Sequence, residues 1–383
     1  MKRVMQDERG IALAVAIFAL VIVGALVAGA FFAGTQEQRV SDNTRRLSQS
    51  FGVAEVGIAA QVASWDPSTN NITPVYPAGK MTVPNAATAT GSFGGQVLKL
   101  NGNLYLIDIT ARDAASATGG LNARGGARQR IGLLTRIQPL QIDIRASLTT
   151  QGGANLSGNA SVDGRDHVPT GWTDCDPVLD TSRAGIRNDA GSVTTSGNAT
   201  IAGSPPVMND TSVSDKTFTQ YGDVTYDQLA AKATVVLPGG NYRTEPTLKA
   251  DGTCNKANLT NWGDGLNRGA PCGNYFPIIH VTGDIVLNGI QGQGILLVDG
   301  DLEVQGSYEF YGVTIVRGQL KTAGGGATDA HFWGGVMAQN VSLEFQNLSG
   351  KATLNYSKCA IVQALQMTGV VAPMVSRGWA QLF

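Results

Sequence analysis

Near the start of the chain, 24 consecutive residues from Ile11 to Gly34 carry no charged side chain. About 20 apolar residues are enough for a helix to cross a bilayer. The stretch that follows is polar, contains no proline before Pro67, and has apolar or small residues at alternating steps of four and three, the spacing of one helix face. That stripe consists of Val40, Thr44, Leu47, Phe51, Ala54 and Ile58. Because a residue before proline is pushed out of helical geometry, the pattern predicts one helix from about Ile11 to Ser64, half in lipid and half outside it.

Two simpler interpretations of the apolar run remain open. A plain single-pass anchor has the same hydropathy, and Ala28-Gly29-Ala30 has the form of a signal-peptidase site. The run is longer, however, than the roughly 7–15 apolar residues of a signal peptide. Basic residues do not fix the orientation, since three precede the run and three follow it closely. The short leader and the large downstream part favour a cytoplasmic N-terminus and an exported C-terminus.

Several features of the first 60 residues occur in a recognisable order. A basic leader comes first, followed by an Arg-Gly pair, the apolar run and a polar segment; the residues are Lys2, Arg3, Arg9-Gly10, Gln36-Glu37-Gln38-Arg39, Asn43 and Ala54-Glu55. This segment resembles the N-terminal helix of type IV pilins and pseudopilins, and more closely that of the PilX-type pilus-assembly proteins. One position departs from the major pilins, because Val15 stands where they carry a glutamate, at the fifth residue after Gly10.

The resemblance implies a processed, membrane-anchored filament subunit. It implies cleavage of the leader between Gly10 and Ile11. It also implies contacts between the projecting half of the helix and other subunits of a filament, through Leu47, Phe51, Glu55 and Ile58. The partners implied are other pilin or pseudopilin subunits and the inner membrane, with surface glycans as a further candidate.

Composition favours an exported body and argues against nucleic acid as a partner. Only 15% of the 383 residues are charged, the formal net charge is −1, and lysine and arginine form no basic patch of the kind that nucleic acid requires. More than 300 residues follow the helix, enough to bury a large core and to form two domains. The sequence contains no Gly-x-Ser-x-Gly elbow, phosphate-binding loop or His-Glu-x-x-His motif, and we expect no cofactor.

The four cysteines are Cys175, Cys254, Cys272 and Cys359, an even number that is compatible with disulfides outside the cytoplasm. Cys254 and Cys272 flank a loop rich in glycine, asparagine and aspartate, which has too few apolar residues to order itself. A disulfide would restrict this loop in the unfolded chain, so we predict that these two cysteines pair. A zinc site is not expected, because there is no Cys-x-x-Cys pair and the histidines are distant in sequence.

The segment 66–144 has the pattern of a small antiparallel sheet. Gln96–Leu100 alternates in polarity, Asn101-Gly102-Asn103 forms a turn, and Leu104–Thr110 continues as a second apolar run. Two apolar runs joined by Asn-Gly are a strong β-hairpin signal. In pilins such a sheet packs on the outer half of the long helix, and the facing surface here would be Leu47, Phe51 and Ile58.

An internal repeat occupies the segment 145–383. The pattern Gly-polar-apolar-x-apolar-x-Gly begins at Gly158, Gly197, Gly283, Gly300 and, in a degenerate form, Gly318. The last three copies are 17 and 18 residues apart. Alternating apolar residues predict short strands with one buried face, and a regular period predicts stacking of successive units, as in a parallel β-helix. A β-sandwich with evenly spaced hairpins remains the alternative, and 223–233 is expected to form a helix that interrupts the repeat.

Candidate chemistry in the repeat region is sparse. His167 with Asp163, Asp166, Asp174 and Asp176 has the ligand types for calcium but an irregular spacing, so solvated turn carboxylates are the better interpretation. Polysaccharide lyases use β-helices and need a base beside acidic ligands; the charged residues near one another in the repeat are Asp301, Glu303, Arg317 and Lys321. The aromatic cluster Tyr308, Phe310 and Tyr311 is predicted to lie in the core rather than to stack on a sugar.

The sequence thus predicts an α+β protein of four parts: a leader at 1–10, a pilin-like helix at 11–65 that crosses the membrane at 11–34, a small sheet at 66–144, and a mostly-β parallel β-helix at 145–383. We expect a structural and interaction protein of the minor-pilin type rather than an enzyme, anchored in the inner membrane. The alternative is a membrane-tethered carbohydrate-binding or lyase-like envelope protein.

The leader generates the first testable expectation. A charged leader meets the apolar run at Gly10, so a prepilin-type peptidase should leave Ile11 as the first residue of the mature chain. Mass spectrometry of the membrane-extracted protein would identify this terminus directly. A mature chain that begins at Met1, or at Phe31 after the Ala28-Gly29-Ala30 site, would contradict the pilin-type processing.

Overall fold

The computed structural model describes residues 9–114, 127–173, 175, 182–222, 224–322, 329–343, 351–374 and 378–382. The chain divides into two compact units. The smaller unit consists of Met1–Ser64, Pro74–Thr135 and Pro373–Phe383, and the larger unit consists of Trp65–Thr73 and Arg136–Ala372. Both units are therefore built from segments that are separate in sequence.

The first element is a single helix, α1 (Arg9–Ala63), of 55 residues, as the absence of proline and the helical spacing predicted. At 1.5 Å per residue its length is roughly 80 Å. Past its end, Asp66 caps a one-turn helix, α2 (Pro67–Asn70), by accepting a hydrogen bond of 3.0 Å from the Ser68 N–H. Pro67 occupies the first turn of α2, where its missing N–H costs nothing.

The smaller unit contains most of an antiparallel sheet. Its strands are β1 (Met81–Thr88), β2 (Gly91–Lys99), β3 (Leu104–Asp113), β4 (Arg128–Gln138), β19 (Val370–Pro373) and β20 (Trp379–Leu382). The order is β1-β2-β3-β4-β19, with β20 also beside β4. The predicted hairpin is present: Lys99 faces Tyr105 across the turn, and the Asn101 side chain accepts hydrogen bonds from the N–H groups of Asn103 and Leu104.

The larger unit is built on a twelve-stranded sheet. Its strands are β5 (Ala146–Thr150), β6 (Ala154–Leu156), β7 (Ser161–Asp163), β8 (Ala184–Asn188), β9 (Val193–Thr195), β10 (Thr200–Ala202), β11 (Val207–Asn209), β14 (Val235–Thr244), β15 (Ile278–Val298), β16 (Leu302–Thr322), β17 (Asp329–Leu343) and β18 (Lys351–Tyr356). The main path runs β10-β7-β18-β17-β16-β15-β14. A separate two-stranded sheet, β12 (Gln220–Tyr221) and β13 (Val224–Thr225), precedes helix α3 (Tyr226–Ala231), and α4 (Lys358–Met367) follows β18.

The long strands pair in parallel, so that equivalent apolar residues of neighbouring repeats share one core. Ile285 faces Leu302 and Leu287 faces Val304 in the β15–β16 register, and all four side chains are buried. Glu303, between the two buried positions of its strand, is only partly buried. The alternation therefore places one face of each repeat in the core, as its pattern predicts.

A carboxylate and a glycine connect successive repeats. The Asp284 side chain accepts a hydrogen bond of 2.8 Å from the Asp301 N–H, and the Asp301 side chain does the same for the Gln319 N–H. A Cβ on Gly300 would collide with the Asp284 carboxylate, and one on Gly318 would collide with the Asp301 carboxylate. Gly300 and Gly318 thus leave room for the aspartate of the repeat before them.

The prediction of a parallel β-helix is wrong for the described strands. They form open sheets, and the main path of the twelve-stranded sheet ends at β10 on one side and at β14 on the other without closing. Nor does its order follow the chain, because β7 and β10, which carry the repeats at Gly158 and Gly197, lie beyond β18 and not before β14. The physical reason is that the repeat specifies short parallel strands with one buried face, and an open sheet satisfies that requirement too.

The helix predicted at 223–233 is shorter than expected. Within the described residues it spans α3, which begins with a capping box: the Thr225 side chain accepts from the Gln228 N–H, and the Gln228 side chain accepts from the Thr225 N–H. Asp223 lies outside the described residues. Leu229 and Tyr226 are buried in the second core of the unit, so tertiary packing fixes this helix in place.

Two disulfides belong to the larger unit. Cys254 pairs with Cys272, with Cα atoms 4.9 Å apart, and Cys175 pairs with Cys359, with Cα atoms 5.5 Å apart. The loop between Cys254 and Cys272 is also held from within. Asn261 donates hydrogen bonds to the Thr247 and Asn255 carbonyls, and the next residue, Trp262, is fully buried in the main core. The polar loop is therefore anchored at three points rather than by the disulfide alone.

The register of the repeat can be tested with two neighbouring substitutions. Leu302→Asp should strongly destabilise the larger unit, because Leu302 is fully buried and an unpaired carboxylate there would cost several kcal/mol. Glu303→Lys should change stability little, because Glu303 lies on the partly exposed face. Chemical denaturation and limited proteolysis of the full chain compare the two variants. Equal protease resistance in both would contradict the inward position of Leu302.

Candidate assembly surface on the N-terminal helix

The first half of α1 has no cover from the described part of the chain. Its side chains from Leu13 onward are exposed, and Phe31 and Phe32 are 74% and 69% exposed. Within the described residues this is the one helix long and apolar enough to cross a membrane. The predicted cleavage residues Gly10 and Ile11 lie in the first turn of the helix. Exposing this apolar half to water is unfavourable, at ~25 cal/mol per Å² of apolar surface.

The second half of α1 packs on the antiparallel sheet through small residues. The buried positions are Ser50, Val53, Ala54, Gly57 and Ile58, which follow the spacing of a single helix face. At Gly57 the helix comes so close to the sheet that an added Cβ would lie 2.7 Å from the Phe93 ring and 3.1 Å from Ile109. The small side chains therefore allow the close approach of helix and sheet.

Part of the predicted facing surface is wrong. Ile58 is buried against the sheet, but Leu47 and Phe51 are 42% and 43% exposed. Residues at steps of three and four lie on one face of a helix, whichever residue the count starts from. The spacing alone therefore does not distinguish the stripe that contains Leu47 from the one that contains Ser50. The small residues of the second stripe decide the packing, because a bulky side chain at Gly57 would not fit.

The residues predicted to contact other subunits separate into two groups. Leu47, Phe51 and Glu55 are exposed on α1, next to the buried face, whereas Ile58 is buried within the unit. The exposed group combines two large apolar side chains with one carboxylate. Val56 is a further exposed apolar residue of the same half. This part of the helix is available for contacts between molecules.

The larger unit holds the segment directly after the helix. Lys256 Nζ lies 2.9 Å from Asp66 Oδ2 and also donates to the side chains of Ser68 and Thr69. Burial opposes ionisation of Asp66, but hydrogen bonds from Ser68, Lys256 and Thr69 outweigh it and lower the pKa of this carboxyl. The group is therefore ionised at neutral pH and forms an ion pair with Lys256.

A second anchor of this segment is Asn71. Its side-chain N–H groups donate to the backbone carbonyls of Gln366 and Gly369, each at 3.0 Å, and its oxygen accepts from the Trp65 indole. Neither Asn71 nor Lys256 was singled out by sequence reasoning. Their partners are about 190 to 300 residues away in sequence, and no local pattern signals such pairs.

Asp163 and Asp166, the described acidic residues near His167, have structural roles. Asp163 accepts hydrogen bonds from the backbone and side chain of Arg165, and lies 3.0 Å from His167 Nε2. Burial alone would raise the pKa of Asp163, but the hydrogen bonds have the larger effect and lower this pKa to about 2. Asp166 accepts from the Lys358 N–H at the start of α4. Asp174 and Asp176 lie outside the described residues, and the described part of the chain contains no group of three His, Cys, Asp or Glu that could hold a metal.

The other candidate groups of the repeat region have structural contacts. The Asp301 carboxylate caps the next repeat, Glu303 accepts from Gln305, and the Arg317 guanidinium lies 5.2 Å from the centre of the Tyr226 ring. Lys321 faces Ser342 in the β16–β17 register. The aromatic cluster is in the core, as predicted: Tyr308, Phe310 and Tyr311 are 0%, 1% and 2% exposed.

Comparison with known proteins yields little. No protein-family model and no curated protein matches this chain. Among solved structures, the competence-associated pilin ComZ from Thermus thermophilus is similar over 88% of this chain and 98% of that chain, with 12% identity and a TM-score of 0.24. At this TM-score the likeness establishes neither fold nor function.

The close packing at Gly57 generates a prediction with a matched control. Gly57→Ala should destabilise the smaller unit, by about 1–3 kcal/mol, because the new methyl group would push the Phe93 ring away from the helix. Gly52→Ala, in the same helix with nothing within 4 Å, should instead stabilise the helix slightly through the higher propensity of alanine. Thermal unfolding of the full chain in detergent measures both, and the same shift for the two variants would contradict the close approach.

Proposed function

We propose that this chain is a minor-pilin-like subunit of a type IV pilus or a related secretion filament. The observation that carries the proposal is the division of α1 into two halves of different chemistry. The first half is charge-free and exposed, and the second packs on an antiparallel sheet through small residues while Leu47, Phe51 and Glu55 stay exposed. Monomeric soluble proteins rarely expose so large a contiguous apolar surface.

A continuous apolar run would suit this helix both in a membrane and inside a filament. In lipid, a helix satisfies its backbone hydrogen bonds internally, so a continuous apolar run is stable there. In a filament, the same run would be surrounded by the helices of other pilin or pseudopilin subunits, with equally little exposure to water. These subunits and the inner membrane are the partners we propose, and the order of motifs from Lys2 to Glu55 supports a PilX-type relationship.

We further propose that the chain is inserted once, with its N-terminus in the cytoplasm and the larger unit exported. The two disulfides support an oxidising compartment for that unit. The role proposed is structural, without catalysis. The described contacts of Asp301, Glu303 and Arg317 are all explained by packing and capping, so no particular observation favours the lyase-like alternative.

Recovery from sheared surface filaments tests the proposal. The full-length wild type should be found both in the membrane and in the filament fraction. Phe51→Glu places a charge on the exposed face and should reduce recovery in filaments at least several-fold at an unchanged membrane level. Gln49→Glu is the matched control, because it adds the same charge to an exposed position about 160° around the helix.

Three outcomes can be distinguished. Loss of Phe51→Glu alone from the filaments would support assembly through this face. Equal recovery of both variants would contradict the role of Phe51 but not filament membership. Confinement of the wild type to the membrane, with no recovery in filaments, would overturn the proposed function.

A further inference from the structure

The larger unit contains a cleft with a volume of about 910 Å³. All of its lining residues belong to this unit. They come from the segment after α1, from the chain before β5, from α3 and the residues beside it, from Lys256, from the chain that leads into β15, and from the end of α4. Sites for small molecules in proteins typically measure roughly 300–1,000 Å³. The cleft is therefore large enough to hold a small organic ligand. Neither the packing of α1 nor the repeat pattern explains why the cleft is there.

The inner part of the cleft is apolar. Phe276 and Ile278 are almost fully buried in the core beneath it. Leu140, Val224 and Met367 line the cleft and pack against the same core but are only partly buried. They leave some apolar surface open to water, and a ligand with an apolar body would remove that surface from water.

The charges around the cleft do not cancel. Its ionisable lining residues are Asp66, Lys232, Lys256 and Tyr275. Asp66 and Lys256 form the ion pair described above and neutralise each other. Burial raises the pKa of Tyr275, so this phenol is neutral at physiological pH. The net charge of the described lining residues is therefore that of Lys232, whose exposed side chain lies at the C-terminal end of α3.

We infer that the cleft binds a small amphipathic monoanion, with its carboxylate or other acidic group at Lys232 and its apolar body over Phe276 and Ile278. A neutral sugar fits less well, because its hydroxyl groups would meet apolar side chains and lose hydrogen bonds to water. A purely apolar ligand would gain no binding energy from the charge of Lys232. The inference does not depend on filament membership, since it rests on the larger unit alone.

A fluorinated probe tests the inference in the full-length protein. The chain is inserted in nanodiscs, and 8,8,8-trifluorooctanoate is titrated while its ¹⁹F NMR signal is followed, with empty nanodiscs as the blank. Saturable binding is expected. The uncharged 8,8,8-trifluorooctanamide should bind about threefold more weakly, as expected when an ion pair with an exposed lysine is lost.

Three variants locate the site. Lys232→Met removes the charge of an exposed side chain and should weaken trifluorooctanoate binding by about threefold with little effect on the amide. Lys249→Met is the matched control, since Lys249 is exposed and does not line the cleft. Ala231→Trp fills the cleft from an exposed position of α3 and should abolish binding of both probes. Thermal unfolding verifies that each variant is folded.

Several results would overturn the inference. No saturable binding to the wild type would exclude the ligand class. Equal affinities for the anion and the amide, or equal effects of Lys232→Met and Lys249→Met, would show that Lys232 does not recognise the charge. Binding that persists unchanged in folded Ala231→Trp would place the probe outside the cleft. If Ala231→Trp does not fold, the comparison of the two lysine variants decides alone.

Discussion

The feature on which the smaller unit depends is that α1 carries two different sets of side chains on one uninterrupted backbone. A helix closes its hydrogen bonds internally, so it can pass from an apolar to an aqueous medium without a break. What changes along its length is the side chains. From Ile11 to Gly34 they are apolar and uncharged, whereas from Ser50 to Ile58 one face is small and buried. The sheet can then approach closely at Gly57 while the adjacent face remains exposed.

In the larger unit, the pairing of long parallel strands depends on coupled choices of residue. The repeats at Gly283 and Gly300 each supply two buried apolar side chains, and Asp284 and Asp301 each satisfy a backbone N–H of the following repeat. This hydrogen bond requires a glycine at Gly300, since a side chain there would occupy the space of the carboxylate. The Gly-Asp pair that recurs in the sequence is thus one structural device rather than two independent preferences.

Several polar residues that attract attention in the sequence have structural roles. Asp163 orders its loop through Arg165 and His167, and Asp66 both caps α2 and pairs with Lys256. Buried or partly buried carboxylates need such partners, because an unpaired charge in the interior is costly. The lining of the cleft differs, because it joins partly buried apolar side chains with the charge of Lys232, an exposed residue at the C-terminal end of α3.

The sequence by itself determined the features that depend on neighbouring residues. These are the extent of α1, the hairpin at Asn101, the alternation within the repeats, and the pairing of Cys254 with Cys272, which the composition of the loop between them suggested. Helical spacing, turn residues and period-two alternation are local consequences of backbone geometry. These features can therefore be predicted from the sequence without knowledge of the fold.

Only the tertiary structure decided which elements are neighbours. The order of strands in the twelve-stranded sheet, the return of β20 to β4, the docking of Asn71 on α4 and the choice of Ser50 rather than Leu47 for the buried face all depend on contacts between distant segments. Alternative strand orders bury nearly the same apolar faces and satisfy the same backbone hydrogen bonds. The local pattern does not distinguish these arrangements. Side-chain fit decides between them, as in the space that Gly57 leaves for Phe93.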